Sequence, residues 1–170
     1  MIEFRILREE DLPQLHEWLR REHVKRWWRD SRTCEETAAH YLPSLRGEDP
    51  TDHYVIILDG REVGMIETYL VSDHPEWEAV VRQGDCVAGV DLLLGEEDVV
   101  GRGLGPEVLR VFAREVVFAR PAVDALVAAV DEDNRWSWRA FEKAGFAYVS
   151  DVVEEGRPHR LMRLERPIGA

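Results

Sequence analysis

The stretch from Cys86 to Val130 limits the possible folds more than any other part of the chain. Cys86–Leu94 is an apolar run. The turn Gly101-Arg102-Gly103-Leu104-Gly105 follows, then a helix to about Phe118, then the apolar run Val123–Val130. Apolar runs of this length without alternation read as strands buried on both faces. Two strands joined through a helix lie parallel, because a parallel pair needs a crossover connection. Such a unit places the chain among α/β proteins. Pro106 falls in the first turn of the helix, where a missing N–H does no harm. Within the first run one residue breaks the pattern: Asp91 is a carboxylate inside Cys86-Val87-Ala88-Gly89-Val90-Asp91-Leu92-Leu93-Leu94.

The remaining segments fit around this unit. Ile2, Phe4 and Ile6 alternate with Glu3 and Arg5, predicting a half-buried first strand. Glu9–Lys25 follows helical spacing, with Leu12, Leu15, Leu19 and Trp18 on one face, and Cys34–Leu42 is a second helical stretch, stopped by Pro43. Tyr54–Leu58 and Val63–Val71 read as strands joined through Asp59-Gly60, followed by a polar loop with Asp73, Pro75 and Trp77. A helix from Asn134 to Ala144 ends at Gly145, a suitable residue just past a helix end. Phe146–Val153 and His159–Leu164 close the chain as a strand pair around Glu155-Gly156. The expected order is β α α β β β α β α β β, in one domain spanning 1–170.

The chain carries 34 acids and 22 bases, a net charge of −12 over 170 residues. That sign opposes binding to nucleic acid or anionic membranes, both of which need a basic field, and suits a cationic small molecule or peptide. No apolar run approaches the ~20 residues of a spanning helix. Met1-Ile2-Glu3-Phe4-Arg5 lacks the layout of a signal peptide, so a cytoplasmic protein is expected. Cys34 and Cys86 are too far apart for a CxxC motif, and both are expected as buried thiols. His16, His23, His40, His53, His74 and His159 show no metal-binding spacing, so no metal is expected. No GxSxG turn is present and neither cysteine has a nucleophile's context, which favours direct transfer over a covalent enzyme intermediate.

The glycine turn has a physical use. Closely spaced glycines let backbone N–H groups crowd around a phosphate, and the helix N-terminus adds partial positive charge. A Rossmann site is the competing reading, with Asp124 about 20 residues on as the ribose acid. A Rossmann half, however, has its turn near the start and further βα units behind it, whereas here the turn follows four strands.

The element order resembles the GNAT superfamily of N-acetyltransferases, on Gly101–Gly105 and on Asn134-Arg135-Trp136-Ser137-Trp138-Arg139-Ala140-Phe141-Glu142-Lys143-Ala144-Gly145-Phe146. Within it the chain is most similar to the aminoglycoside 6′-N-acetyltransferases. The supporting stretches are Glu17-Trp18-Leu19 followed by Trp27-Trp28, Tyr41-Leu42-Pro43-Ser44, Gly89-Val90-Asp91, and Gly103-Leu104-Gly105. The resemblance implies a mixed central sheet of about seven strands flanked by about four helices. It implies acetyl-CoA as cosubstrate, held by Leu93, Gly101, Arg102, Gly103, Leu104, Gly105, Asn134 and Phe141. Asn134 suits a helix N-cap equally well. Two positions depart from the family: Val100 stands where many members carry Arg or Gln, and Phe141 where many carry a Tyr that protonates the leaving thiolate. Tyr148 is a candidate replacement for that acid.

The same resemblance makes Asp91 the catalytic carboxylate. An amine attacks a thioester only when neutral, while alkylammonium groups have pKa values of roughly 9–10. Asp91 is therefore expected to orient and electrostatically stabilise the amine, or to pass its proton through water. A polycationic acceptor calls for acids and aromatic faces, and the candidates are Trp27, Trp28, Asp73, Trp77, Asp91, Asp131, Asp133 and Glu155. The expected function is acetyl transfer to an aminoglycoside by a monomer or homodimer. The alternatives are N-acylation of another amine (a siderophore, a polyamine or a protein N-terminus) and a non-catalytic CoA-binding module.

Overall fold

A computed structural model describes residues 1–168. Seven strands are present among the described residues: β1 (Ile2–Ile6), β2 (Thr51–Leu58), β3 (Arg61–Leu70), β4 (Val87–Leu94), β5 (Ala125–Asp131), β6 (Ala147–Glu154) and β7 (Arg157–Glu165). The six α-helices among the described residues are α1 (Leu12–Arg20), α2 (Glu22–Trp28), α3 (Cys34–Leu45), α4 (Pro75–Val81), α5 (Leu104–Phe112) and α6 (Arg135–Ala144). The strands form one mixed sheet in the order β1-β2-β3-β4-β5-β7-β6. β4 and β5 are parallel, with Val87 opposite Ala125, so the crossover expected from the two apolar runs is present. β7 is antiparallel to both β5 and β6.

Six helices stand where about four were expected, and local backbone explains the difference. The stretch predicted as one helix, Glu9–Lys25, is a 3-10 turn at Glu9–Asp11 followed by α1 and α2, because Arg21 is extended (φ −64°, ψ 135°). α2 ends where Arg29 turns left-handed, at φ 52°. α4 occupies part of the predicted polar loop; Pro75 opens it and left-handed Arg82 closes it. α3 is not stopped by Pro43 but runs through it to Leu45. Pro43 lacks the N–H that would bond the Ala39 carbonyl, and only Ser44 and Leu45 follow it in the helix. At its start Thr33 and Glu36 cap each other: the Thr33 hydroxyl accepts from the Glu36 amide at 3.2 Å, and the Glu36 carboxylate accepts from the Thr33 amide at 2.7 Å. After the glycine turn, α5 is regular only to Phe112 and continues as a π-helical turn, Ala113–Val117.

The chain divides into two compact units, Met1–Glu67 with Asp91–Val100, and Thr68–Val90 with the chain from Gly101 onward. In the first unit the apolar face of α1 (Leu12, Leu15, Trp18, Leu19) and Tyr41 of α3 pack over Val55, Met65 and Leu93. The Trp18 indole donates to Glu96 at 2.9 Å, and the Arg21 guanidinium to the Gly95 carbonyl at 2.9 Å. In the second unit Val71, Val81, Val87, Ala125, Val127, Val152 and Leu161 form a buried cluster. There the Arg166 guanidinium donates to the carbonyls of Phe118 at 2.7 Å and Val123 at 2.8 Å, tying the segment after β7 to the loop before β5. Both cysteines are exposed and free, contrary to expectation. Cys34 is the first residue of α3 and Cys86 lies just before β4, so neither occupies a core position of its element.

Gly64 carries a backbone contact that only glycine allows. A Cβ there would lie 2.2 Å from the Leu93 carbonyl oxygen, which belongs to the adjacent strand and cannot swing away. Gly64→Ala is expected to destabilise the protein by about 2–3 kcal/mol, as overpacking against fixed backbone does. Urea denaturation checks this through a lower midpoint at unchanged slope.

Candidate active site

Strand alternation builds the polar part of the first unit. Val55, Met65 and Leu93 point into its core from β2, β3 and β4. Two residues away on the same faces stand His53, Glu67 and Asp91. Gly64 lies against Leu93 and Leu94, a register that sets Glu67 across from Asp91. His53 Nδ1 is 2.8 Å from Glu67 Oε2, and His53 Nε2 is 2.9 Å from the Ser44 hydroxyl of α3. Tyr41 reaches over this row from α3 and is 3% exposed. Its ring meets the His53 ring edge-on at 5.0 Å. Burial, then the charges of Glu67, Asp30 and Asp91, push the Tyr41 phenol far above its usual range, so it remains an O–H donor at any working pH. Burial, then the nearby Arg32 guanidinium, hold the His40 imidazole below its ordinary value. Asp30 is held by Arg32 at 2.7 Å. Three carboxylates thus act on one buried phenol.

The second unit presents the glycine turn. Gly101 (φ 76°) and Gly103 (φ 81°) are left-handed, and a Cβ at either would meet nothing within 4 Å. The turn is therefore open ground that bare backbone leaves accessible, and no side chain caps the N-terminus of α5. Those amides match a phosphate-bearing ligand in chemistry. Arg102 is exposed beside them, Leu104 is buried, and at Gly105 an added Cβ would come 3.6 Å from Ala140 of α6. Asn134 caps α6, its side chain accepting from the Ser137 amide at 3.2 Å. Phe141 is buried against Phe146, the rings edge-on at 5.0 Å.

The other sequence candidates have specific surroundings. Leu93 has its side chain in the core of the first unit. Trp28 packs beside the same core, and the Arg26 guanidinium lies 5.0 Å from the Trp27 ring centre. Asp73 is exposed in the 3-10 turn Val71–Asp73. Trp77 packs on the core of the second unit, with its indole N–H buried and lacking a hydrogen-bond partner among the described residues. Glu155 is exposed in the β6–β7 turn at φ 50°, next to left-handed Gly156. Asp133 is 75% exposed, whereas Asp131 is 8% exposed and bound to Arg157 at 3.1 Å. Tyr148 is exposed and donates to Asp151 at 3.1 Å. Sequence reasoning passed over Tyr41, His53, Glu67 and Asp30 as site residues. Glu67 carried the same signal as Asp91, an acid within an apolar strand.

Burial raises the Asp131 carboxyl, but the Asp133 amide and the Arg157 guanidinium outweigh it and hold the group below its usual range. A depressed carboxyl stabilises the fold above its unfolded-state pKa and loses that contribution as pH falls through its folded value. Asp131→Asn is expected to cost about 1–3 kcal/mol at neutral pH. The gap from wild type should shrink on acidification, as thermal unfolding across the acid range will read.

An acetyltransferase (GNAT) domain family matches residues 8–153. The aminoglycoside N(6′)-acetyltransferases type 1 of Klebsiella pneumoniae and of Serratia marcescens are each 32% identical over 162 residues, covering 92% of this chain and 79% of theirs. A crystal structure of the aminoglycoside acetyltransferase AAC(6′)-Ib with coenzyme A and kanamycin superposes with a TM-score of 0.89 at 30% identity, covering 98% of this chain and 95% of that one. With the seven-stranded mixed sheet and the open glycine turn before α5, these matches establish that the chain belongs to the GNAT acetyltransferase family.

Proposed function

We propose that this protein is an acetyl-CoA-dependent N-acetyltransferase whose acceptor is a primary amine of an aminoglycoside, the 6′ amine by analogy with its relatives. The observation that carries the acceptor class is the pair of half-buried carboxylates, Glu67 and Asp91, set across from each other on β3 and β4, a negative patch suited to a cationic amine. A whole-chain likeness to aminoglycoside acetyltransferases supports the same reading. The family match extends over most of both compact units, which favours one catalytic domain.

Gly101, Gly103 and Gly105 would hold the pyrophosphate through backbone N–H groups, with Arg102 beside them. Leu104 would keep the turn seated on the core, while Asn134 would use its amide NH2 on the pantetheine arm as its oxygen caps α6. Phe141 would line the arm, and Leu93 would contribute backbone. When bound, acetyl-CoA supplies an activated acetyl thioester. Asp91 would orient and electrostatically stabilise the acceptor amine, or take up its proton through a water as the amine attacks the thioester carbonyl, since an ordinary aspartate is a weak base for a direct transfer. Phe141 has no proton to give, and a thiol of pKa about 8.5 needs little help to depart at neutral pH. Trp27, Trp28, Asp73, Trp77, Asp133 and Glu155 would contribute to acceptor capture, and Asp131 would act through its hold on Arg157.

A thiol-release assay with acetyl-CoA against aminoglycosides, polyamines and lysine derivatives tests the assignment. Turnover confined to a polyamine or lysine derivative would overturn the acceptor class. Asp91→Asn is expected to lower kcat by about 100-fold or more, the scale of a lost acid–base or positioning group, with acetyl-CoA binding unchanged by calorimetry. Near-normal turnover in that variant removes Asp91 from the mechanism. For Glu155, aminoglycoside affinity should fall as salt rises, because exposed charges are screened over about 10 Å at 0.1 M. Glu155→Gln should flatten that slope, and identical slopes in the two proteins would leave Glu155 a solvated turn residue.

A further inference from the structure

Five of the six tryptophans are engaged. Trp18 is buried, Trp28 and Trp77 pack on the two cores, and the Arg26 guanidinium lies over Trp27. Trp138 donates to the Glu132 carbonyl at 3.2 Å, with the Arg160 guanidinium 4.2 Å from its ring centre. Trp136, by contrast, is 83% exposed and makes no hydrogen bond or ring contact with the described residues. Its place in the fold follows from the topology. β4 and β5 are parallel, and β6 points the same way as β5 because both are antiparallel to β7. α5 links β4 to β5 and α6 links β5 to β6, so both helices run back against those strands and parallel to each other. They are level where a Cβ on Gly105 would come 3.6 Å from Ala140. Trp136 is on the same side of α6 as Ala140 and one turn earlier, which puts it about 6 Å further toward the helix N-termini. Side chains lean that way too, so the indole stands beside the glycine turn that opens α5 rather than beside the body of that helix. An indole is among the largest apolar surfaces a chain can leave in water, and here it is a stacking face at the edge of a phosphate site.

We propose that Trp136 binds the adenine of acetyl-CoA, its indole stacking on the base while the glycine turn holds the pyrophosphate. This rests on the acetyl-CoA reading of that turn above. In coenzyme A a single ribose joins the pyrophosphate to the adenine, so a base leaving the turn meets a neighbouring aromatic face. Asn134 lies two residues before Trp136, and two residues of helix point to opposite sides. The start of α6 thus offers Asn134 to the pantetheine arm and Trp136 to the other end of the molecule. Stacking on an indole face needs no hydrogen-bond partner and is worth a substantial part of a nucleotide's affinity. Trp136 thereby selects the acyl donor: acetyl-CoA carries the base, whereas a phosphopantetheine thioester borne by a carrier protein does not.

Calorimetry with coenzyme A and with 4′-phosphopantetheine, which ends before the adenosine, tests this. Trp136→Ala should weaken coenzyme A binding by about tenfold or more, the scale of one lost base–aromatic stack. Its affinity for 4′-phosphopantetheine and its thermal midpoint without ligand should match the wild type, which reports that the variant is folded. Trp136→Phe should keep most of the coenzyme A affinity, because a phenyl face still stacks. Coenzyme A should also quench part of the wild-type tryptophan fluorescence, and that part should vanish in Trp136→Phe, where five tryptophans remain. Unchanged coenzyme A affinity in Trp136→Ala overturns the proposal, as does full quenching in Trp136→Phe. An equal loss of affinity for both ligands in Trp136→Ala overturns it as well, since Trp136 would then be a structural residue. A wild type that binds no coenzyme A would overturn the acetyl-CoA reading of the glycine turn instead.

Discussion

Side chains on a strand alternate between faces, and in the first unit that constraint does most of the organising. The face that sends Val55, Met65 and Leu93 into the core must also carry His53, Glu67 and Asp91 one step further along. The apolar row needs α1 and α3 as cover, and α3 also delivers Tyr41 and Ser44 to the polar row. Burial and function are therefore set by one register. A slip of one residue in β3 would send Met65 out of the core and Glu67 away from His53 together. The backbone approach at Gly64 guards against such a slip, because no other residue fits beside Leu93.

The second unit solves a different problem, presenting backbone rather than side chains. Left-handed Gly101 and Gly103 keep the turn free of Cβ atoms, and Leu104, Val108, Leu109 and Phe112 anchor α5 beneath it. Asp131 and Arg157 fix the end of β5 against the β6–β7 hairpin. Such a pair is structural first: Asp131 has little exposed surface left for a ligand, unlike neighbouring Asp133.

Much of this was legible in the residues. The seven strands, the parallel crossover and the glycine turn follow from period and punctuation, which are local properties. Asp91 stood out because a carboxylate in an apolar strand needs a reason. The break at Arg21 was not legible, since an extended backbone at one arginine leaves no mark on the apolar spacing of Glu9–Lys25. Nor was the passage of α3 through Pro43, because whether a proline ends a helix or only costs it a hydrogen bond in the preceding turn depends on the packing around it. The grouping of His53, Glu67, Ser44 and Tyr41 is a property of the sheet register and helix placement, which join residues far apart in the chain. His53, Ser44 and Tyr41 looked ordinary alone, and Glu67, an acid within an apolar strand, had no visible partner.

The sheet order β5-β7-β6 has a consequence for how the protein must be made. The last strand to be synthesised is an interior one, inserted between β5 and β6, and Arg166 then fastens the segment behind it to the Phe118 and Val123 carbonyls. Until β7 arrives, β5 presents an open edge, and its residues Ala125–Val130 are almost wholly apolar. An unpaired apolar edge invites pairing with other chains. During translation the nascent chain therefore carries this apolar edge unguarded for the time needed to make some forty further residues. A stop codon or frameshift anywhere between β5 and Arg166 leaves that edge permanently bare, so such products are headed for aggregation rather than for partial activity.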